Sequence, residues 1–223
     1  MIALSQPAFT TEDATLLDRA LATSTDAPED PTTTRILDAA LAEFVDFGLR
    51  RTTVDDVARR AGVGRMTIYR RFGRKEELVE AVMLRELADF LAELGDAVLR
   101  GTTVEEGLAE GFVFGIRGAR KHPLFGRLLE TEPEALLPYV TLDGGPLVAA
   151  AADFVTDTVL GANPTAQARA AAEALVRLAH SLVLTPQSAL PLDDDRAAKE
   201  LARRLIAALL PRSTRTAKRA ARQ

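Results

Sequence analysis

Between Pro31 and Pro123 the chain contains no proline. Proline removes a backbone donor and clashes with the preceding helical turn, so this gap leaves long helices free to run unbroken. The apolar spacing is helical throughout the gap. From Thr34, Leu37, Leu41 and Phe44 recur at helical intervals, with Ile36, Ala40 and Phe47 beside them, until Gly48 ends the stripe. Thr53-Val-Asp-Asp56 has the form of a capping box and opens a short second helix, VDDVARRA, with Val54, Val57, Ala58 and Ala61 inward. A third helix spans roughly Arg65 to Arg71. A fourth starts near Lys75, with Glu76 and Glu77 placed to complement its dipole, and runs for about five turns through Val79, Met83, Leu87, Phe90, Leu91 and Leu94.

Beyond it the pattern stays helical. Thr103-Val-Glu-Glu106 is a second capping-box pattern opening a helix to about Lys121, and Pro123 starts a short helix ending near Thr131. Residues 133–139 read as irregular or helical, and helices are expected over 147–160, 165–184 and 194–210, the last with Asp193, Asp194 and Asp195 at its positive end. No run alternates with period two for long enough to require a sheet. The expected class is all-α, with near nine helices.

At 223 residues, with 47% hydrophobic and 27% charged residues, the chain can bury a full core in one or two domains. It has no cysteine, which excludes disulfides, thiolate metal sites and cysteine nucleophiles. The two histidines, His122 and His180, lie far apart in sequence, each suits a structural or surface role, and no metal-ligand spacing or phosphate-cradling loop accompanies them. No cofactor, metal or catalytic residue is therefore expected. The N-terminus lacks a basic start followed by an apolar run, and no apolar run approaches the ~18 residues of a membrane helix, so a cytoplasmic location is expected, with no membrane partner.

The formal net charge of -4 conceals a strong segregation. Residues 1–31 hold six acids and one base, and 81–211 hold eighteen acids and twelve bases, yet the window Phe47 to Lys75 holds nine bases and two acids. Such a basic block within an acidic body suits contact with a polyanion, and it also suits plain solvated helix faces. The residues inside the block separate the two readings. In a helix-turn-helix the second helix lies in the major groove and the first braces it, which calls for a small residue at the close approach and a glycine able to take positive φ at the turn. Ala58 and Gly62 stand at that spacing, and Val57, Val63 and Ile68 supply the apolar wedge. The outward face of the third helix is then Arg65, Met66, Thr67, Tyr69 and Arg70. Arg65 suits a bidentate pair to guanine, Thr67 a phosphate or a thymine methyl, and Tyr69 a phosphate. Lys75, at a helix N-terminus, suits phosphate, while Arg59 and Arg60 flank the groove and Arg50 and Arg51 precede the cap at Thr53.

The stretch TTVDDVARRAGVGRMTIYRRFGRKEELVEAV resembles the DNA-binding domain of the TetR (tetracycline-repressor-like) family over Thr33 to about Val82. The resemblance implies a three-helix, helix-turn-helix DNA-binding domain followed by a divergent helical ligand-sensing and dimerising domain. Carried over by position, Thr53 and Tyr69 match phosphate-contacting residues, Lys75 matches the lysine at the start of helix four, and Arg65, Met66 and Thr67 match positions that approach bases. Gly64 and Arg74 depart from the family pattern: each replaces a side chain that would cap a helix. The organisation expected is an acidic disordered arm over 1–31, the DNA-binding domain over 32–80, the ligand and dimer domain over 81–211 and a basic disordered tail over 212–223.

In the second domain the resemblance would set Phe112, Phe114, Phe125, Tyr139 and Phe154 around a ligand cavity, although aromatic residues at helical spacing also suit plain core. Leu175, Leu178, Ala179, Leu182 and Val183 form one apolar stripe, and Leu201, Leu205, Ile206 and Leu209 another. Across a two-fold axis they would make a four-helix dimer interface; within one subunit they would simply pack together. Two reading heads ~34 Å apart would match a palindromic operator. The function expected is a sequence-specific regulator, a repressor released by a small-molecule effector. The alternatives are a helical carrier or enzyme with a vestigial helix-turn-helix, and an architectural DNA binder indifferent to sequence.

Overall fold

The computed structural model describes residues 30–142, 144–160, 164–210 and 212–215, all helical or connecting. The expected arm, apart from its last two residues, lies outside the described residues, as does the tail from 216 onward.

Helix α1 (Pro31–Phe47) begins three residues before the stripe that marks it. Asp30 caps it by accepting the Thr33 amide at 3.3 Å, and Pro31 stands at a first-turn position where its missing N–H costs nothing. Helices α2 (Val54–Ala61) and α3 (Arg65–Phe72) follow, separated by Gly62 in the left-handed conformation at φ 65°. Both halves of the Thr53–Asp56 capping box are formed: Thr53 Oγ1 accepts the Asp56 amide, and the Asp56 carboxylate accepts the Thr53 amide at 3.1 Å. Helix α4 (Lys75–Leu99) is longer than its stripe suggests. Glu77 accepts the Arg74 amide at 3.1 Å, one half of a capping box, while Arg74 has no side-chain acceptor to supply the other half.

Helices α5 (Val104–Lys121), α6 (Pro123–Thr131), α7 (Pro133–Val140) and α8 (Gly145–Val155, running into a π turn over Thr156–Leu160) continue the chain. They are followed by α9 (Ala166–Leu184), α10 (Asp195–Leu209) and the single turn α11 (Arg212–Arg215). The cap at Thr103 is only half a capping box. Thr103 accepts the Glu106 amide, but the Glu106 carboxylate turns to the amide and hydroxyl of Thr102 at 2.8 and 2.6 Å. Asp194 caps α10 as its acidic run implies, accepting the Ala197 amide at 2.7 Å. The start of the expected tail is ordered into α11, where Arg215 pairs with Glu105 at 2.8 Å.

The apolar residues separate into distinct cores. One holds Ile36, Leu37, Phe44, Val57, Ala58, Ile68, Leu78 and Val82, together with Leu124 and Leu128 of α6, each 2% exposed. A second gathers Phe112, Val113 and Ile116 of α5 with residues of α9 and α10. A smaller third joins α4 to α8 through Ala88, Leu91, Ala150 and Phe154. Helix α4 thus contributes to all three cores, with Leu78 and Val82 in the first, Leu91 in the third and Val98 in the second.

Candidate nucleic-acid interface

The apolar side of α3 consists of Ile68 and the partly buried Phe72. Ile68 is fully buried between α1, α2 and α4, while Met66 is 69% exposed, Tyr69 is 44% exposed, and Arg65 and Arg70 are exposed beside them. A lone Met and Tyr at such exposure on a helix whose rim is arginine form a surface without an intramolecular partner to explain it. Thr67 is half-buried on the same helix. Thr53 stands exposed at the start of α2, its hydroxyl donating to Asp56 at 2.5 Å. The Thr53 hydroxyl, with Arg59 at 2.6 Å second, pulls the Asp56 carboxyl down to about 2. Asp56 is thereby held ionised by its own neighbours.

The arginines of the basic block, Arg50, Arg51, Arg59, Arg60, Arg65, Arg70, Arg71 and Arg74, are all exposed. Arg60 and Arg71 reach across to α1 and its cap. The Arg60 guanidinium, expected to flank the groove, crosses to α1 and binds Asp46 at 2.8 Å and Glu43 at 3.2 Å. Arg71 likewise reaches back to Asp30 at 2.6 Å and to the Thr33 hydroxyl at 2.8 Å. Lys75 is already engaged. Its ammonium donates to the Leu49 carbonyl at 2.5 Å, which fixes the loop before α2 against the start of α4.

That loop carries contacts that no local pattern announces. Glu132, the residue that ends α6, is 6% exposed, and its Oε1 accepts the Arg50 amide at 3.2 Å. Glu134 pairs with the Arg50 guanidinium at 2.7 Å, and Arg127 donates to the Asp46 carbonyl at 3.3 Å. Gly48 takes φ 87° there, and a Cβ on it would meet Glu132 Oε1 at 2.3 Å. The i, i+4 pair Leu124 and Leu128 was a visible sign that α6 has a buried face, but nothing local identifies the buried partner as the α1–α4 core.

Of the five aromatic residues expected around a ligand, Phe112 belongs to the α5, α9 and α10 core, Phe154 packs between α4 and α8, Phe125 is half-buried on α6, and Tyr139 lies on α7 with its side chain outside the described residues. The fifth, Phe114, lines a cleft of about 390 Å³ between α4 and α5, with Glu86, Asp89, Phe90, Glu93 and His122 among its other residues. Phe90 and Phe114 stack in it at 5.8 Å between centroids. His122 has a structural duty: Nδ1 accepts the Phe125 amide at 3.4 Å to cap α6, and Nε2 faces Glu86 at 3.5 Å. His180 is half-buried on α9, and desolvation lowers its pKa.

The leucines of the two stripes also divide. Leu175 and Leu182 are buried in the subunit's own core, which removes them from any surface. Leu178, Leu201, Leu205 and Leu209 pack against that core and stay partly exposed. Among the described residues no helix is long and apolar enough to cross a membrane.

Comparison with known proteins gives two family matches, one described as bacterial regulatory proteins, tetR family, over residues 36–82, and one as bacterial tetracyclin repressor, C-terminal domain, over 104–207. An uncharacterized HTH-type transcriptional regulator of Mycobacterium tuberculosis is 42% identical over 60 residues, 27% of this chain and 32% of the relative. The chain therefore spans about a third of that relative's length. The similarity to the HTH-type transcriptional regulator AlkX of Mycobacterium tuberculosis is broader, 35% identity over 176 residues, covering 75% of this chain and 80% of the relative. Among solved structures, the TetR family repressor AlkX of a Dietzia strain, described as implicated in biodegradation of n-alkanes, superposes with a TM-score of 0.58 at 26% identity. That superposition covers 85% of this chain and all of the other.

Proposed function

The chain belongs to the TetR family of bacterial regulatory proteins, and from that premise we propose that it is a DNA-binding transcriptional regulator, that α3 reads a palindromic operator and that a small-molecule effector releases it. In this reading Arg65, Met66 and Thr67 approach bases, and Thr53, Tyr69, Arg70 and Lys75 position the duplex through its phosphates. The observation that carries it is the face of α3: Met66 and Tyr69 exposed and flanked by arginines, directly over a buried Ile68 that braces the helix. The reading assigns the chain no catalytic step.

The effector enters the α4–α5 cleft. Stacked Phe90 and Phe114 offer it an apolar wall, and Glu86, Asp89 and Glu93 offer it negative charge. The position supports a regulatory role, because His122 in the cleft wall caps the helix whose Leu124 and Leu128 lie in the reading-head core. Two copies joined along the partly exposed leucines of α9 and α10 present two heads, and effector binding favours a dimer whose heads no longer match the operator spacing. Repression is the sign of regulation in this reading.

The test is selection of binding sites from a random duplex pool at physiological salt, with Tyr69→Ala as control. An enriched palindrome that requires Tyr69 supports the reading. Binding without sequence enrichment would instead indicate a sequence-indifferent DNA binder.

A further inference from the structure

The amide and the guanidinium of Arg50 are both held by carboxylates from beyond α5. Glu132 accepts its N–H at 3.2 Å, and Glu134 pairs with its guanidinium at 2.7 Å. The two acids flank the junction between α6 and α7, whereas Arg50 lies in the loop that also receives Lys75 and leads into the Thr53 cap. The Arg50 side chain remains 68% exposed, so the pair does not hide it from a second anion. Glu132 is the opposite case. It is nearly wholly buried, and its Oε2 has no hydrogen-bond partner, so the carboxylate is retained in the interior by the loop amide it holds.

We propose that Arg50 is a phosphate ligand of the reading head and that the α6–α7 junction controls it, with Glu132 positioning its backbone and Glu134 competing with DNA for its guanidinium. The inference rests on the DNA-reading role of α3 and adds a contact and its control. A phosphate approaching Arg50 must displace Glu134 or share the guanidinium with it, because both anions use the same donors. Any shift of the α6–α7 junction that draws Glu134 away makes Arg50 available, and one that presses the junction onto the loop withholds it. The coupling is one of charge, so it is strongest at low salt.

The test measures binding of the full chain to the duplex it selects, as a function of salt, for Glu134→Gln, Arg50→Ala and the double variant, with Glu130→Gln as a control that removes one exposed charge from α6. Exposed ion pairs of this kind are worth a two- to fivefold change in affinity, roughly, so Glu134→Gln is expected to tighten binding by about that factor. The gain should vanish in the Arg50→Ala background. Equal gains from Glu134→Gln and Glu130→Gln, or a gain that survives loss of Arg50, would overturn the proposal. A chain that selects no duplex at all would instead remove the DNA-reading role beneath it. For Glu132, hydrogen exchange of the DNA-free protein gives a second measurement. Glu132→Ala should speed exchange of the Arg50 amide while amides of α9 and α10 keep their protection. An Arg50 amide exchanging at the parent rate would remove Glu132 from the positioning role.

Discussion

Lys75 Nζ donates to the Leu49 carbonyl at 2.5 Å, across 26 residues of sequence. The ammonium therefore stands at the first turn of α4 while bonded to the loop before α2, and a phosphate there would meet a charge already oriented by the protein. Lys75→Ala is expected to weaken binding to all duplexes alike and to lower the salt slope by about one. It should also cost about 1 kcal/mol of stability through the lost loop bond. Binding titrated against salt and thermal melting check the two effects separately. An unchanged slope would leave Lys75 as a purely structural tie.

Arg65 stands at the exposed first position of α3, 4.0 Å from Asp55, a separation that leaves it only weakly paired. Arg65→Ala should relax sequence preference at one base pair and cost about 1–3 kcal/mol on the preferred sequence. Repeating the site selection with the variant checks this. Equal losses on every sequence would reassign Arg65 to phosphate contact.

Leu128 lies fully buried in the reading-head core although it belongs to α6. Leu128→Ala should destabilise the chain by about 2–5 kcal/mol, the range for truncating a buried leucine. Its signature is regional: hydrogen exchange should accelerate in α1 and α2 before α9 and α10. Protection lost first in α9 and α10 would contradict the packing described.

Asp56 carries the acid dependence of the α2 cap. Its folded pKa is lowered from 3.8 to about 2, chiefly by the Thr53 hydroxyl and then by Arg59. A depressed carboxyl contributes stability that is present above the unfolded value and is lost as pH falls through the folded value. The parent should therefore exceed Asp56→Asn in stability at pH 6, with the difference shrinking between pH 4 and about 2. Denaturant unfolding at a series of pH values measures it. A difference that stays constant over that range would show that the carboxylate charge does not matter to the cap.

The helix-turn-helix was legible because its determinants are local. The Thr53 box, the left-handed Gly62, the inward Val57 and Ile68 and the arginine rim all fall within about 20 residues of one another, and helix periodicity and capping act over such distances. The same local reasoning did not reveal the ion pairs of Arg60. A guanidinium on a short helix can point to solvent or to a neighbouring helix, and only the position of Glu43 and Asp46 on α1 decided which. Phe112, Leu175 and Leu182 show the same limit: apolar spacing marks a face as buried, and the packing of α5, α9 and α10 determines what buries it.

By itself the amino-acid sequence determined the all-helical class, the helix starts at Thr53 and Asp194 and the basic face of α3, because proline exclusion, capping and 3.6-residue periodicity are properties of neighbouring residues. Only the tertiary structure decided that α6 completes the reading-head core and that Glu132 and Glu134 close on the loop at Arg50. The Arg50 contacts join residues 82 or more positions apart, and all of these contacts depend on how α4 and α5 carry the chain back to α1, a geometry that no local pattern encodes.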